Sequence, residues 1–215
     1  MKKKVLELFA GSRSIGKEAE KIGCEVFSVD IKQFGGISLI KDIEFLTIED
    51  LPFIPDIGWG SPMCTTYSIA AISHHRDMGK PKTEFAAKSD RIILNVLKLY
   101  SEILKINPDF KWFLENPRGY LRKMYFMAGI PKTTVWYCRY GDTRAKPTDI
   151  WSNHIRSIFN SDGWQSKPMC FNGNTKCHHE SAPRGSSTGT QGLKNNHERS
   201  KIPQQLCREI IISCL

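Results

Sequence analysis

Short apolar runs divided by polar turns open the chain. Val5-Leu6-Glu7-Leu8-Phe9 reads as a strand, and Ala10-Gly11-Ser12-Arg13-Ser14-Ile15-Gly16 as a glycine turn. Ser14 is placed to cap a helix running to about Ile22. Glu25-Val26-Phe27-Ser28-Val29-Asp30 is a second strand, and it ends in an acid. Ile54 to Trp59 is a further strand candidate. From Phe85 to Ile106 the period changes: Ile92, Ile93, Val96, Leu97, Tyr100, Ile103 and Leu104 recur at helical spacing until Pro108 ends the run. Lys111 to Glu115 and Thr133 to Cys138 read as strands, with a short helix between them from Leu121 to Met127. From about Ser161 to Arg199 the chain is polar, without a long periodic element. Ile202-Pro203 opens a last helix whose Leu206, Ile210 and Ile211 share one face.

Strand, glycine turn, helix, strand and acid make the nucleotide-binding half of a doubly wound α/β sheet. An acid closing the second strand can accept hydrogen bonds from ribose hydroxyls. The turn lacks both the dinucleotide G-x-G-x-x-G pattern and the Gly-Lys-Ser/Thr of a P-loop. A ligand with one ribose and no pyrophosphate fits better, such as S-adenosylmethionine. An ordinary tight βα turn is the plain alternative.

Composition narrows the partner. The 215 residues suit one domain, or one with a small appendage. Lys and Arg total 31 against 22 Asp and Glu, a net charge of +9. That balance favours a polyanion such as nucleic acid, although charge also serves solubility alone. No segment approaches the roughly 20 apolar residues of a membrane span, and Met1-Lys2-Lys3-Lys4 does not lead into a signal sequence. The 7 cysteines are therefore expected to be reduced thiols, metal ligands or a nucleophile in a cytoplasm.

Two strand ends carry candidate chemistry. Cys64 follows the turn Gly60-Ser61-Pro62-Met63. Glu115 ends an apolar run, before Asn116-Pro117. A thiol and a carboxyl group at two strand ends suit covalent catalysis with a carboxyl group assisting. Taken singly, Cys64 is an incidental thiol and Glu115 a salt-bridged acid.

Taken together, these segments resemble the DNA cytosine-C5 methyltransferases. Leu8-Phe9-Ala10-Gly11 stands where that family has its Phe-Ala-Gly turn. Gly60-Ser61-Pro62-Met63-Cys64-Thr65-Thr66-Tyr67-Ser68 stands for Gly-Pro-Pro-Cys-Gln-x-Phe-Ser, and Glu115-Asn116-Pro117 for Glu-Asn-Val. Ser200-Lys201-Ile202-Pro203 stands for the final motif before a helix. The resemblance spans 5–150 and 198–215. It implies a Rossmann-like S-adenosylmethionine-dependent sheet with helices on both faces and a small irregular polar insert. It also implies a catalytic domain over 1–160, a reduced recognition insert over 161–199, and a C-terminal helical segment over 200–215 packing back.

By the same resemblance, Cys64 attacks cytosine C6, Glu115 binds the base, and Arg144 stabilises charge near it, with Lys146 second. Cofactor contacts are expected from Phe9, Ala10, Gly11, Ser12 and Ile15. Asp30, Ile31, Asp42, Pro62 and Ser200 complete them. The expected substrate is duplex DNA with a flipped cytosine, in restriction–modification or phage DNA modification, within the cytoplasm of a bacterium or infected host. RNA is the alternative, since one branch of the family methylates tRNA. A non-catalytic nucleic-acid-binding relative and a subunit dependent on a partner are others. Three departures stand out: Met63 replaces a proline, Thr65 replaces a glutamine, and the stretch between Trp151 and Ser200 is short for a recognition domain.

That short stretch has chemistry of its own. Cys170, Cys177 and His178-His179 are ligands of the kinds zinc takes, and Cys138 can join them. The alternative is a polar loop with incidental cysteines. Arg184 to Gly192 suits phosphates and base edges, or forms a simple glycine/serine linker. His74, His75, Arg76, Lys80 and Lys82 form either a substrate-facing loop or a solvated basic one.

Overall fold

The computed structural model describes residues 2–171, 174–177, 179–180 and 196–215. In chain order the elements are β1 (Lys4–Leu8), α1 (Ser14–Ile22), β2 (Glu25–Asp30), β3 (Leu39–Ile40) and β4 (Ile57–Gly60). Then come α2 (Ile72–His75), the hairpin β5 (Arg76–Asp77) and β6 (Lys80–Pro81), α3 (Glu84–Ile106) and β7 (Lys111–Pro117). β8 (Lys132–Trp136), β9 (Pro147–Ser152), α4 (Asn196–Ser200) and α5 (Gln204–Ser213) complete the described set.

One sheet runs β3-β2-β1-β4-β7-β9-β8. The pairs from β3 to β7 are parallel, and β9 lies antiparallel to both β7 and β8. Strand alternation sends side chains to two cores. Val5 and Ile57 meet Ile15, Ala19, Leu206, Ile210 and Ile211 on the α1/α5 face. Leu6 and Leu8 meet Ile93, Val96, Tyr100 and Ile103 of α3 on the other. Each such fully buried Leu, Ile or Val stabilises the fold by about 1.5–3 kcal/mol. This is the expected α/β sheet with helices on both faces.

Most strands and the long helix lie where the periodicity put them, with differences at the ends. Thr83 caps α3, its Oγ1 accepting the Ala86 N–H at 3.2 Å. Ser14 does not cap α1. Residue 13 precedes the helix in a left-handed conformation, and Glu7 of β1 accepts the Ile15 and Gly16 N–H groups at 3.1 and 2.9 Å. The expected helix from Leu121 to Met127 is a pair of 3₁₀ turns, Tyr120–Lys123 and Tyr125–Met127. β8 stops at Trp136, because Tyr137–Tyr140 turns into a 3₁₀ helix ended by Gly141 at φ 85°. β9 had no counterpart among the expected strands. Trp164, within the polar stretch, is buried with its ring 6.3 Å from that of Phe113. No helix among the described residues is long and apolar enough to cross a membrane.

Candidate active site

The turn after β1 is tightly wound. Phe9, Gly11 and Arg13 all have positive φ, at 56°, 44° and 55°. Two of these are not glycine, a strain of order 1–3 kcal/mol each that the surroundings must hold. Asp30 is part of that hold: its Oδ2 accepts the Gly11 N–H and its Oδ1 the Lys32 N–H, both at 2.9 Å. Ser28 Oγ donates to Glu7 Oε2 at 2.8 Å, and Arg13 Nε donates to Ser28 Oγ at 3.1 Å. Burial pushes the Glu7 carboxyl above its ordinary value, while the Gly16 N–H, Ser28 and Arg13 pull it down.

These residues suit S-adenosylmethionine. Glu7 already fills the first amides of α1, where a dinucleotide would seat its phosphates. The ligand favoured is therefore a nucleoside without phosphate. Each Asp30 oxygen keeps a lone pair for a ribose hydroxyl. Ile31, next in sequence, is 56% exposed, an apolar side chain free to cover a purine. Phe9 is half-buried, Ala10 and Pro62 are buried, and Ile15 sits in the core. Ser12 bonds Ser14 hydroxyl to hydroxyl at 2.9 Å, and Ser14 Oγ accepts the Ile202 N–H at 3.3 Å. That contact brings the segment after the exposed Ser200 against the turn. Asp42 is engaged within the chain, capping a 3₁₀ turn through the Glu44 N–H at 3.0 Å and pairing with Lys88 at 2.6 Å.

β4 and β7 are parallel neighbours, so their carboxyl ends lie side by side, with Gly60 opposite Leu114. The loop Ser61-Pro62-Met63-Cys64 leaves β4, and Cys64 begins the 3₁₀ turn Thr65–Tyr67. Trp59 Nε1 donates to Ser61 Oγ at 2.7 Å. Buried Asn116, at the end of β7, donates from Nδ2 to the Pro62 carbonyl at 2.9 Å. Asn116 thus ties the Cys64 loop to the strand bearing Glu115. At Gly119 an added Cβ would stand 2.6 Å from the Tyr67 carbonyl, so glycine lets the two loops touch. Met63, at the departure from the family pattern, is 51% exposed.

Glu115 is 5% exposed, and Tyr137 donates its hydroxyl to Glu115 Oε1 at 2.9 Å. Nothing in the sequence marked Tyr137, because its partner lies 22 residues away across an unrecognised strand. Burial pushes the Cys64 thiol up and the Glu115 charge adds to this, while Lys146 and Arg199 pull it down. Burial pushes the Lys146 ammonium down, against the pull of Glu115 and Cys64. Cys64, Glu115 and Lys146 therefore share one electrostatic field.

Arg144 stands differently. Its guanidinium pairs with Asp142, with Nε to Oδ1 at 2.8 Å, and Nη1 donates to the Arg199 carbonyl at 3.1 Å. These bonds strap the 199–201 segment to the start of β9. Lys146 Nζ also donates to the Arg199 carbonyl at 3.1 Å, and it lies 4.6 Å from the centre of the Tyr137 ring.

Behind Cys64, the basic loop is partly structural. Arg76 is buried and forms a bidentate pair with Asp90 of α3 at 2.7 and 3.0 Å. It donates to the Thr66 carbonyl at 2.9 Å and lies 4.4 Å from the centre of the Tyr67 ring. Tyr67 donates to Asp90 at 2.7 Å. Arg76 is thus neither solvated nor substrate-facing, whereas His74 and Lys80 are exposed.

The cysteines of the polar stretch do meet. Ligand atoms of Cys138, Cys170, Cys177 and His179 all lie within 4.8 Å of one another. Among the described residues the histidine in this group is His179; His178, and the stretch from Arg184 to Gly192, lie outside them.

No protein-family model matches this sequence, and no curated protein matches it. Among solved structures, the fold is similar to that of the Entamoeba histolytica methyltransferase EhMeth. Identity is 18% over 79% of this chain and 58% of that one, with a TM-score of 0.54. It is similar also to a mutant Spodoptera frugiperda DNMT2, at 14% identity over 77% of this chain and 55% of that one, with a TM-score of 0.50. The chain spans 55–58% of the length of these two proteins. The sheet and its helices have the Rossmann-like fold of these two proteins.

Proposed function

We propose that the protein transfers a methyl group from S-adenosylmethionine to C5 of cytosine, with duplex DNA as the substrate. The observation that carries this reading is the common field of Cys64, Glu115 and Lys146 at the adjacent ends of β4 and β7. A half-buried thiol in the field of a buried acid suits nucleophilic addition assisted by a proton.

Cytosine C5 becomes nucleophilic once a thiolate adds to C6. Cys64 rests protonated, since burial and Glu115 both disfavour its thiolate. Moving the thiol proton to Glu115 removes the opposing carboxylate charge. It also leaves a neutral carboxyl group able to hydrogen-bond N3 and draw electrons from C6. Nucleophile and acid are thereby activated in one transfer. Tyr137 positions Glu115, and Lys146 rather than Arg144 is the cation suited to charge developing at O2. S-adenosylmethionine, held at Gly11 and Asp30, supplies the electrophilic methyl group. Loss of the C5 proton to a water molecule then lets the ring expel Cys64 as a thiolate, which takes its proton back from Glu115. The cytosine must leave the duplex to reach the thiol, and the net charge of +9 favours salt-sensitive phosphate contacts.

The test is mass spectrometry of nucleosides from duplex DNA and from tRNA, each incubated with protein and S-adenosylmethionine. 5-Methylcytosine in the DNA, absent with Cys64→Ser, is expected. Product only in tRNA would move the substrate to RNA, and an active Cys64→Ser variant would remove the mechanism.

A further inference from the structure

The segment after β9 is polar, yet part of it is held firmly against the catalytic fold. Cys170 is buried, and Cys138 and Cys177 are half-buried beside it with Trp136 and Ala145. Cys170 Sγ lies 3.8 Å from His179 Nδ1. Cys138, Cys170, Cys177 and His179 present one ligand atom each, all within 4.8 Å of one another. Tetrahedral zinc with Zn–S bonds near 2.3 Å sets its sulfur ligands about 3.8 Å apart. The described atoms are already close to that arrangement.

We propose that these four side chains bind one zinc ion. The set is three thiols and one imidazole, with no carboxylate. That excludes the hard cations, which take oxygen ligands, and it falls one thiolate short of a Cys₄ iron–sulfur site. Four protein ligands close the shell, so the ion is structural and keeps no open position for catalysis. The surroundings support the ligands. Asn174 donates from Nδ2 to Cys170 Sγ at 3.3 Å, a bond that stabilises a thiolate ligand and fixes its direction. The Cys177 N–H bonds the Asn174 carbonyl at 3.1 Å, and the Asn174 N–H the Phe171 carbonyl at 3.2 Å, so backbone bonds hold Asn174 and Cys177 in place.

The site also joins two parts of the chain. Cys138 comes from the 3₁₀ turn after β8, and the other ligands from the polar segment. Beyond His179, the Glu180 N–H donates to the Thr143 carbonyl at 2.8 Å, next to Arg144. The ion therefore pins Cys170, Cys177 and His179 beside the segment that carries Lys146 just before β9. A polar segment with few apolar residues cannot build a core of its own, and a metal takes the core's place.

The test uses the full chain, purified with zinc available and dialysed against metal-free buffer, with metal measured by plasma mass spectrometry. One zinc per chain is expected. Replacement by cobalt is expected to give the thiolate charge-transfer band and the strong visible bands of a tetrahedral ion. Cys170→Ser and Cys177→Ser should each lose the metal, and Cys64→Ala and Cys207→Ala should each keep it. His179→Cys should retain zinc and shift the cobalt spectrum. A metal-free wild-type chain, a disulfide among the three cysteines, or zinc retained in Cys170→Ser at full stoichiometry would overturn the proposal. The wild-type stoichiometry and cobalt spectrum decide the matter even where a serine variant fails to fold. They are independent of methyl transfer.

Discussion

The two halves of the sheet bury polar groups in different ways. On the parallel side, Glu7 and Asp30 are buried acids satisfied largely by backbone amides of one turn: Glu7 accepts from Ile15 and Gly16, 8 and 9 residues on, and Asp30 from Gly11, 19 residues back. On the antiparallel side, buried Asp149, Glu115 and Asn116 find partners far along the chain. Asp149 pairs with Arg122, 27 residues away, at 2.8 Å from Nε, and Asn116 reaches Pro62 across 54 residues. The first half is a locally wound turn suited to holding a small ligand. The second is a set of side chains converging from several segments, as chemistry requires. Binding and reaction should therefore separate by mutation.

The largest expected effect is on Cys64. Cys64→Ser should lower methyl transfer by more than roughly 10⁴-fold, with S-adenosylmethionine binding by calorimetry unchanged. Weaker cofactor binding in that variant would merge the two halves into one site. Glu115→Gln should lower turnover by roughly 10²–10⁴-fold. The same change should speed alkylation of Cys64 by iodoacetamide, because it removes a charge that holds the thiol protonated. Slower alkylation would mean that Glu115 does not face Cys64. In the wild type, alkylation should still be rising at pH 9, since a thiol raised above its usual value gains thiolate as pH increases.

Asp149→Ala tests whether the antiparallel half depends on its buried pair. It leaves Arg122 without its partner and should cost about 3 kcal/mol in urea denaturation. A loss under about 1 kcal/mol would show the pair to be dispensable. Asp30→Asn addresses the other half. It should raise the KM for S-adenosylmethionine by about tenfold with little change in kcat, if Asp30 makes the proposed charge-assisted ribose contact. The smallest effect is at Lys146. Lys146→Met should slow Cys64 alkylation severalfold, since the ammonium favours the thiolate, and Arg144→Met should not.

The same contrast explains how much could be read in the sequence. β1, α1, β2 and α3 announce themselves because their apolar periods and ends are local. β9 does not. Pro147-Thr148-Asp149-Ile150-Trp151-Ser152 looks like a loop because Thr148, Asp149 and Ser152 are polar, yet all three are fully buried. Partners in other segments, Thr134 and Arg122 for Asp149, permit that burial. With β9 missing, the approach of Tyr137 to Glu115 was out of reach. Cys64 and Glu115 were visible because strand ends and proline turns are local signals. The cysteines of the insert were visible as ligand types, but the nearness of His179 to them shows only in the fold.

The central claim is that Cys64 forms a covalent bond to cytosine C6. A duplex carrying 5-fluorocytosine tests it directly, because fluorine at C5 cannot leave as the proton does and the adduct is trapped. With S-adenosylmethionine present, we expect a denaturant-stable protein–DNA complex, with the mass of the methylated fluorocytosine on the peptide containing Cys64. Methylation of ordinary cytosine without such a complex, or an adduct on another residue, would contradict the account.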